Sequence, residues 1–403
     1  MSEAKDNTQH NTQLIIPEHF KDIAPYTDLE FREKMAELVN EDGFEHAVRY
    51  VMPQVDYPKF VQQLLDLKSQ DEFQRKTMGE FLELLAKTTT DGISIDGLEN
   101  CAPGCNYTFI TNHRDIVLDA SFLNLCFIRN KMPLTQVAIG NNLLIYEWIS
   151  DLVKLNRSFI VKRDVQRLQA LEAARQLSAY IHFSINKLHE SVWIAQREGR
   201  AKDSNDMTQE SLIKMMSLDG GGSVKENILA VNLMPVSISY EFDPNDYLKA
   251  REFLLKRRDP DFKKSKRDDL FSMETGILKH KGHIHFRIGR CINSELMAYD
   301  GGEDRTHVVH EACRIIDRTI HSGYHIYPCN YIAYDEVNLC NRFADHYRAA
   351  DVERFDNYIN TQLDKVDIDN VSAEEREYMR HMMLTMYANP LKNQLAAGEC
   401  GRE

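Results

Sequence analysis

Residues 109–124 of the chain read FITNHRDIVLDASFLN, and this stretch decides the fold prediction. It starts with apolar, strand-forming residues, passes through the polar turn NHRD and continues into an apolar run typical of a buried helix. In α/β proteins, polar side chains that follow a strand lie at the edge of the sheet where ligands bind. The stretch therefore predicts an α/β domain whose candidate site starts at Asn112 and His113.

Six more strand-like runs alternate with helical patterns between Gly92 and Arg290. They are ISIDGLE, TQVAIGNN, SFIVKRD, SVWIAQRE, AVNLMPVSISYEF and GHIHFRIGR. The segment 165–188 between two of these runs carries apolar residues along one helical face, which is typical of a crossover helix packed on a sheet. The alternation predicts an α/β fold with a mixed sheet and flanking helices.

The two flanks of this region show the three-to-four residue spacing of amphipathic helices. An extended interruption is expected at YHIYPCNYIAY, and the chain is expected to fray from about Ala396. The pattern predicts four segments: a disordered tail at 1–13, a helical region at 14–90, the α/β domain at 91–303 and a helical region at 304–403.

Composition narrows the class of protein. The 403 residues carry 49 basic and 62 acidic side chains, a net charge of −13, which argues against a general nucleic-acid binder. The polar start of the chain lacks the pattern of a signal or transit peptide, so a cytoplasmic location is expected. No apolar run approaches the roughly 20 residues of a membrane span, and the eight scattered cysteines favour free thiols.

One stretch departs from the acidic average. Residues 249–290, from Lys249 to Arg290, contain thirteen basic and six acidic side chains. A basic face of this kind attracts an anionic lipid surface, at about 1 kcal/mol per basic residue near the surface. The stretch predicts that any membrane association is peripheral, although a solvated loop would have the same composition.

His113 is the candidate catalytic residue. A neutral imidazole can take a proton from an alcohol when a carboxylate orients the ring and stabilises the imidazolium. Asp115 suits the cap of the following helix, whereas Asp119, about one turn inside that helix, can point back to His113. We favour Asp119 as the partner. A polar turn with its cap is the alternative interpretation.

Four ordered blocks carry a resemblance to a known family. They are Asn112-His113 with Asp119, the run Phe159 to Arg163, the tripeptide Glu198-Gly199-Arg200, and the strand Leu233 to Tyr240 with its proline at Pro235. Their order and character resemble the glycerolipid acyltransferases, the superfamily of glycerol-3-phosphate and 1-acylglycerol-3-phosphate acyltransferases. The resemblance covers about residues 95–290 and implies the fold of that superfamily for this region.

The resemblance implies that His113 is the base and Asp119 its orienting carboxylate. The family places four residues between the two, and here there are five, so Leu118 occupies the strict position. Either the turn holds one extra residue or Asp115 takes the role; an insertion in the turn is favoured because loops accept extra residues easily.

The other three blocks imply contacts with substrate. Lys162, Arg163 and Arg200 would bind a phosphate, and Glu198 would organise the polyol or the cations. Gly199 would let the backbone approach the substrate. The substrate-binding residues implied in this way are Phe159, Lys162, Arg163, Glu198, Gly199, Arg200 and Pro235. Since proline is confined to edges and bulges, the proline is expected to shape a wall or contact the acyl chain.

The activity implied is transfer of a fatty acyl group from acyl-CoA or acyl carrier protein to a hydroxyl of glycerol-3-phosphate or its 1-acyl derivative, in phospholipid biosynthesis. No metal or other cofactor is expected. A hydroxylated amino lipid is an alternative acceptor, and a lipid-binding module without activity is a second alternative. A metal-dependent hydrolase built on His283 and His285 is a third, although strand alternation predicts that these histidines face solvent or lipid headgroups.

Overall fold

The computed structural model describes residues 15–163, 166–302 and 304–400, so the tail predicted at 1–13 lies outside the described residues. Its centre is a sheet of seven strands in the order β1-β7-β6-β2-β5-β3-β4. The strands are β1 (Gly92–Asp96), β2 (Thr108–Thr111), β3 (Gln136–Gly140), β4 (Ser158–Val161), β5 (Val192–Ala195), β6 (Leu233–Tyr240) and β7 (His283–Ile288).

Strand direction divides the sheet into two parts. The five neighbours β6, β2, β5, β3 and β4 are parallel, whereas β7 is antiparallel to β6 and parallel to the edge strand β1. The predicted α/β fold with a mixed sheet and flanking helices is confirmed. The carboxyl ends of the five parallel strands meet at one edge of the sheet, where α/β folds bind ligands.

Helices precede, connect and follow the strands. Before the sheet lie α1 (Asp28–Leu38), α2 (Asp42–Val51), α3 (Tyr57–Leu65), α4 (Gln70–Glu72) and α5 (Gly79–Thr89). Between strands and after β7 lie α6 (Leu118–Arg129), α7 (Glu147–Leu155), α8 (Arg167–Phe183), α9 (Glu210–Met216), α10 (Val224–Ala230), α11 (Asp246–Arg258), α12 (Lys266–Leu278) and α13 (Asn293–Ala298). The chain continues with α14 (Arg305–Ser322), α15 (Pro328–Val337), α16 (Ala349–Leu363) and α17 (Ala373–Cys400).

Short segments of tighter or wider helix complete the secondary structure. A π-helical segment, Phe73–Met78, joins α4 to α5, and a second, Ser184–Leu188, continues α8. The 3₁₀ turns are Glu18–Phe20, Leu98–Asn100, Asn141–Leu143 and Ala344–His346. No helix in the described part of the chain is both long and apolar enough to cross a membrane.

Both faces of the sheet are covered, which follows from side chains alternating along each strand. On β2, Phe109 belongs to the core formed with α5 and α6, and Ile110 belongs to the core formed with α8, α9, α10 and α14. The first helices form a separate core around Phe31 and Phe73, and α11 shares another with α15, α16 and α17.

The position of Pro235 differs from the expectation for a proline in a strand. β6 lies inside the sheet between β7 and β2, not at an edge. The backbone N and O of one strand residue point to the same neighbour, and the O of Pro235 accepts from Gly289 N on the β7 side at 2.8 Å. Ladder pairing with β7 begins at the next residue, Val236, so the missing N–H lies beyond the ladder.

Two expectations for the carboxyl-terminal region need correction. The extended interruption expected at 324–334 covers only 324–327, because a helix begins at Pro328, whose ring favours the first helical position and has no N–H to satisfy. The chain also does not fray at Ala396, since α17 continues to Cys400. In both places tertiary packing stabilises helix beyond what the local pattern indicates.

Candidate active site

The candidate site lies at the carboxyl edge of the parallel strands. β2 leads into Asn112 and His113, β5 into Gln196 to Arg200, β3 into Asn141 and β4 into Lys162 and Arg163. β2 and β5 are hydrogen-bonded neighbours, so the turns that follow them are adjacent. β4 lies three strands from β2, about 14 Å at the usual strand spacing.

His113 and Asp119 are in contact. The Nδ1 atom of His113 lies 2.8 Å from Oδ2 of Asp119, which is 1% exposed. The same oxygen accepts the backbone N–H groups of Arg114 at 2.7 Å and Asp115 at 3.0 Å. A carboxylate oxygen accepts hydrogen bonds, so in this contact Nδ1 donates and the lone pair of the neutral ring is on Nε2. The His113 side chain is 13% exposed, so a small substrate can reach it.

The local sequence explains this contact. α6 begins at Leu118, so Asp119 is its second residue rather than one turn inside, and its carboxylate lies at the positive end of the helix dipole. The turn from His113 to Val117 then contains the extra residue relative to the family spacing. The Asp119 carboxylate stabilises this turn by accepting hydrogen bonds from the backbone N–H groups of Arg114 and Asp115.

Asp115 has a different role. Its Oδ1 accepts from Val117 N at 2.9 Å and Leu118 N at 2.8 Å, so it caps the start of α6. Burial and the negative charge of Asp119 raise the pKa of Asp115. A Cβ added at Gly276 of α12 would lie 1.9 Å from Oδ2 of Asp115, so α12 packs directly on this turn.

Neighbouring strands hold the turn in place. The Asn112 amide donates to the Ile238 carbonyl at 2.9 Å and accepts from its N–H at 2.8 Å, which ties the end of β2 to β6. The Trp193 ring stands edge-on to the His113 ring, with centroids 5.9 Å apart. Arg114 forms a buried ion pair with Asp206 at 2.7 Å. These contacts restrict the orientation of the imidazole.

Three of the residues implied by the family blocks lie together at this edge. Arg163 donates its backbone N–H to Asn141 Oδ1 at 2.8 Å, and its guanidinium lies 3.6 Å from Glu198. Gly199 has φ +68°, and nothing lies within 4 Å of the position that a Cβ would occupy. The edge between β5 and β4 is therefore lined by charged groups with open space beside them.

Three others differ from the expectation for a substrate contact. Lys162 forms an ion pair with Asp22 at 2.5 Å and donates a hydrogen bond to Gln176 at 2.9 Å. Its ammonium group is therefore paired with the amino-terminal segment and with α8. Phe159 is fully buried in the core. Pro235 is buried within β6, level with Ile110 and before the turn that holds His113. Phe159 and Pro235 therefore do not reach the edge near His113, whereas Lys162 lies at the end of β4 with its charge paired.

Several buried polar atoms at this edge have no hydrogen-bond partner among the described residues. The buried atoms without a partner include the side-chain amide oxygen and nitrogen of Gln196 and of Asn245, Oδ1 of Asn142 and Nη1 of Arg200. Buried polar groups without partners are costly in folded proteins and usually meet a ligand or water. Their concentration here supports a polar ligand site beside His113.

Sequence reasoning missed one cluster beside the site. Lys202, Lys256 and Lys264 surround the buried carboxylate of Glu252. Two of these lysines belong to residues 249–290, predicted as one basic face, but that stretch is divided: Lys249 is buried against Asp243. The dense lysines between 256 and 267 were the available signal, but their partner Lys202 is more than fifty residues away.

The histidines of β7 do not share one environment. His283 is exposed, and its Nδ1 lies 3.0 Å from a carboxylate oxygen of Glu241. Asp91, Glu241 and His283 each have one potential metal-ligand atom, and these three atoms lie within 4.8 Å of one another. Arg354 already pairs with Glu241 at 3.1 Å. His285 is buried, with Nδ1 2.8 Å from Ser94 Oγ, so the expectation that it faces solvent is wrong. Its face of the sheet is covered by the segment that follows α14, where the ring of His325 packs on it.

Comparisons with known proteins give a distant likeness to solved structures and no match of other kinds. No protein-family model matches the sequence, and a comparison with curated proteins gives no match. Among solved structures, the chain is similar to the 1-acyl-sn-glycerophosphate acyltransferase of Thermotoga maritima, at 10% identity and a TM-score of 0.36. The likeness covers 72% of this chain and 95% of that one. It is too distant to establish a shared fold or a shared activity.

Proposed function

We propose that this protein is an O-acyltransferase that moves a fatty acyl group from a thioester to an alcohol. The donor would be acyl-CoA or acyl carrier protein, and the acceptor glycerol-3-phosphate or 1-acylglycerol-3-phosphate. The observation that supports this most directly is the contact of His113 Nδ1 with Asp119, which leaves Nε2 without a hydrogen-bond partner among the described residues. The sequence blocks supply the reaction class, and the charged edge supplies a place for the phosphate.

In the proposed reaction the acceptor hydroxyl oxygen attacks the thioester carbonyl carbon while its proton passes to Nε2 of His113. The buried carboxylate of Asp119 stabilises the imidazolium that forms. The tetrahedral intermediate then breaks its C–S bond, and the thiolate takes the proton from His113. Atoms and charge balance with a single shared proton, and no covalent acyl-enzyme is formed.

The acceptor must be held so that its hydroxyl meets Nε2. Arg163 and Arg200 carry positive charge at this edge, and charge-assisted hydrogen bonds to a phosphate contribute about 1.5–3 kcal/mol each. The open space beside Gly199 lets an acceptor lie against the backbone. Positioning of this kind raises the rate because the two reactants meet in the right geometry.

The test is thiol release from acyl-CoA by the purified 403-residue chain, with glycerol-3-phosphate, lysophosphatidate and a hydroxylated amino lipid as acceptors. We expect release with a phosphorylated glycerol, and a loss of about 10²- to 10⁴-fold in His113→Ala. His46→Ala, on the remote helix α2, is the matched control.

Each outcome has a distinct meaning. Release that needs the amino lipid would assign the other acceptor. No release with any acceptor, combined with binding to anionic vesicles, would favour a lipid-binding module. An undiminished rate in His113→Ala would remove His113 from the mechanism.

A further inference from the structure

A cluster of cations surrounds Glu252 next to the catalytic edge. Glu252 lies on α11 with its side chain only 4% exposed. Its carboxylate pairs with Lys256 at 3.0 Å, with Lys264 at 3.2 Å and with Lys202. The three lysines come from α11, from the loop before α12 and from the loop after β5. They converge only in the folded chain.

The cluster has more positive than negative charge. Three ammonium groups share one carboxylate, and the only further acid within ion-pair distance of the lysines among the described residues is Asp269, 4.0 Å from Lys264. Arg200 adds a fourth cation: its charge acts on Lys202 and Lys264, and its Nη1 is buried without a hydrogen-bond partner among the described residues. Four cations thus face two carboxylates.

The electrostatics of the lysines agree with an excess of positive charge. Burial and the charges of Lys256, Lys264 and Arg200 lower the pKa of Lys202 to about 7. Burial and the charge of Arg200 also lower the pKa of Lys264. A bound anion would supply the missing negative charge and would accept hydrogen bonds from all four side chains.

The cluster is accessible and faces the catalytic turn. The side chains of Lys202, Lys264 and Lys256 are 30%, 26% and 49% exposed, so a ligand can reach their ammonium groups while their stems stay packed. Arg200 connects the cluster with the turn that follows β2, since its charge also acts on Asp115, two residues after His113. An anion bound here would lie near the carboxyl end of β5, the strand that pairs with β2, because Lys202 follows it.

We propose that this cluster binds the phosphate group of a phosphorylated substrate through Arg200, Lys202, Lys256 and Lys264. Glu252 holds the three lysines together so that their ammonium groups converge. The inference rests on the proposed function and deepens it, because it places the phosphate between Arg200, α11 and the loop before α12 rather than at Arg163 after β4. The phosphate of the glycerol acceptor and the phosphates of CoA share this chemistry.

Binding without turnover tests the inference. Dissociation constants of the 403-residue chain for glycerol-3-phosphate and for free CoA are measured by calorimetry, with no thioester present. In Lys256→Gln and Lys264→Gln we expect the dissociation constant of one of these ligands to rise about 10-fold or more, since each variant loses a charge-assisted contact. Lys263→Gln, exposed on the same loop, is the matched control and should bind as the unmodified protein does.

The choice of ligands separates the two sources of phosphate. A rise for glycerol-3-phosphate alone assigns the acceptor phosphate, and a rise for CoA alone assigns the donor. Lys264→Arg keeps the charge and should restore binding, which separates loss of charge from loss of folding. Unchanged constants for both ligands in both glutamine variants overturn the inference. Because no acyl group is transferred, the result is independent of whether His113→Ala loses activity.

Discussion

Replacing Asp119 by Asn is the most informative single change, because it alters charge while keeping size. Oδ2 of Asp119 accepts three hydrogen bonds, from His113 Nδ1 and from the N–H groups of Arg114 and Asp115. An amide can place its oxygen there and keep these contacts, but it has no negative charge to stabilise an imidazolium. If the amide NH₂ turns to the ring instead, His113 must accept at Nδ1, and its proton moves to Nε2.

Both consequences act on the same step of the reaction. A ring protonated at Nε2 cannot take the acceptor proton, and an imidazolium without a carboxylate is less stable in a buried site. We expect kcat to fall by about 10²- to 10⁴-fold, the range that a general base contributes. The KM for the acceptor should change little, because Asp119 is buried behind the ring. The assay is steady-state thiol release at saturating acyl-CoA with varied acceptor.

Asp115→Asn is the matched control, since Asp115 is as buried as Asp119 and differs from it in position. Its Oδ1 accepts from Val117 and Leu118, which an amide oxygen can also do, and its raised pKa means that a neutral side chain suits the site. This variant should keep a rate close to that of the unmodified protein. Equal losses in the two variants, or none in Asp119→Asn, would refute the assignment of Asp119 as the partner of His113.

Two further predictions concern stability. Burial and Asp243 raise the pKa of Asp246 to about 7, although the carboxylate accepts from the hydroxyls of Tyr358 and Tyr387. The folded chain therefore binds a proton that the unfolded chain releases near pH 4, so this group favours folding less as the pH rises from about 4 to 7. The unfolding free energy of the unmodified protein, measured relative to that of Asp246→Asn, should fall by at most about 1.4 kcal/mol for each pH unit in this range. Urea unfolding of both proteins at pH 5 and 8 measures it. A difference in unfolding free energy that does not change with pH would contradict the prediction. Gly276→Ala should destabilise the chain by about 1–3 kcal/mol, because its Cβ would lie 1.9 Å from Asp115 Oδ2. At Gly398 an added Cβ has nothing within 4 Å, so Gly398→Ala should instead stabilise α17 by about 0.5–1 kcal/mol. A higher melting temperature for Gly276→Ala than for Gly398→Ala would show that α12 does not pack on Asp115.

Local sequence was sufficient where the interacting residues are close in the chain. His113 and Asp119 are six residues apart on a strand, turn and helix, so their contact depends on little else. The positions of the strands could also be predicted from the sequence, because strands that are covered on both faces are apolar along their whole length. Alternation along β7 failed at His285, since the structure covers the face of the sheet that the pattern assigned to solvent.

Long-range partners were beyond such reasoning. The strand before Lys162 and the family resemblance predict a phosphate ligand, but Asp22, from a segment 140 residues earlier, pairs with it. For Lys256 and Lys264 the sequence predicts a basic face toward lipid or a solvated loop, and nothing near them in the chain indicates that Lys202 joins them. Whether a charged side chain can bind a ligand depends on the charged groups that lie next to it in the folded chain.

By itself the sequence determined the seven strands, their alternation with helices and the turn that joins His113 to Asp119, because hydrophobic periodicity and turn chemistry act over a few residues. The tertiary structure decided the strand order, the burial of Pro235 and His285, and which cations stay paired within the protein. The physical reason is that a charge or a hydrogen-bonding group is satisfied by whatever lies within a few ångströms of it, and folding brings there residues that the chain keeps far apart.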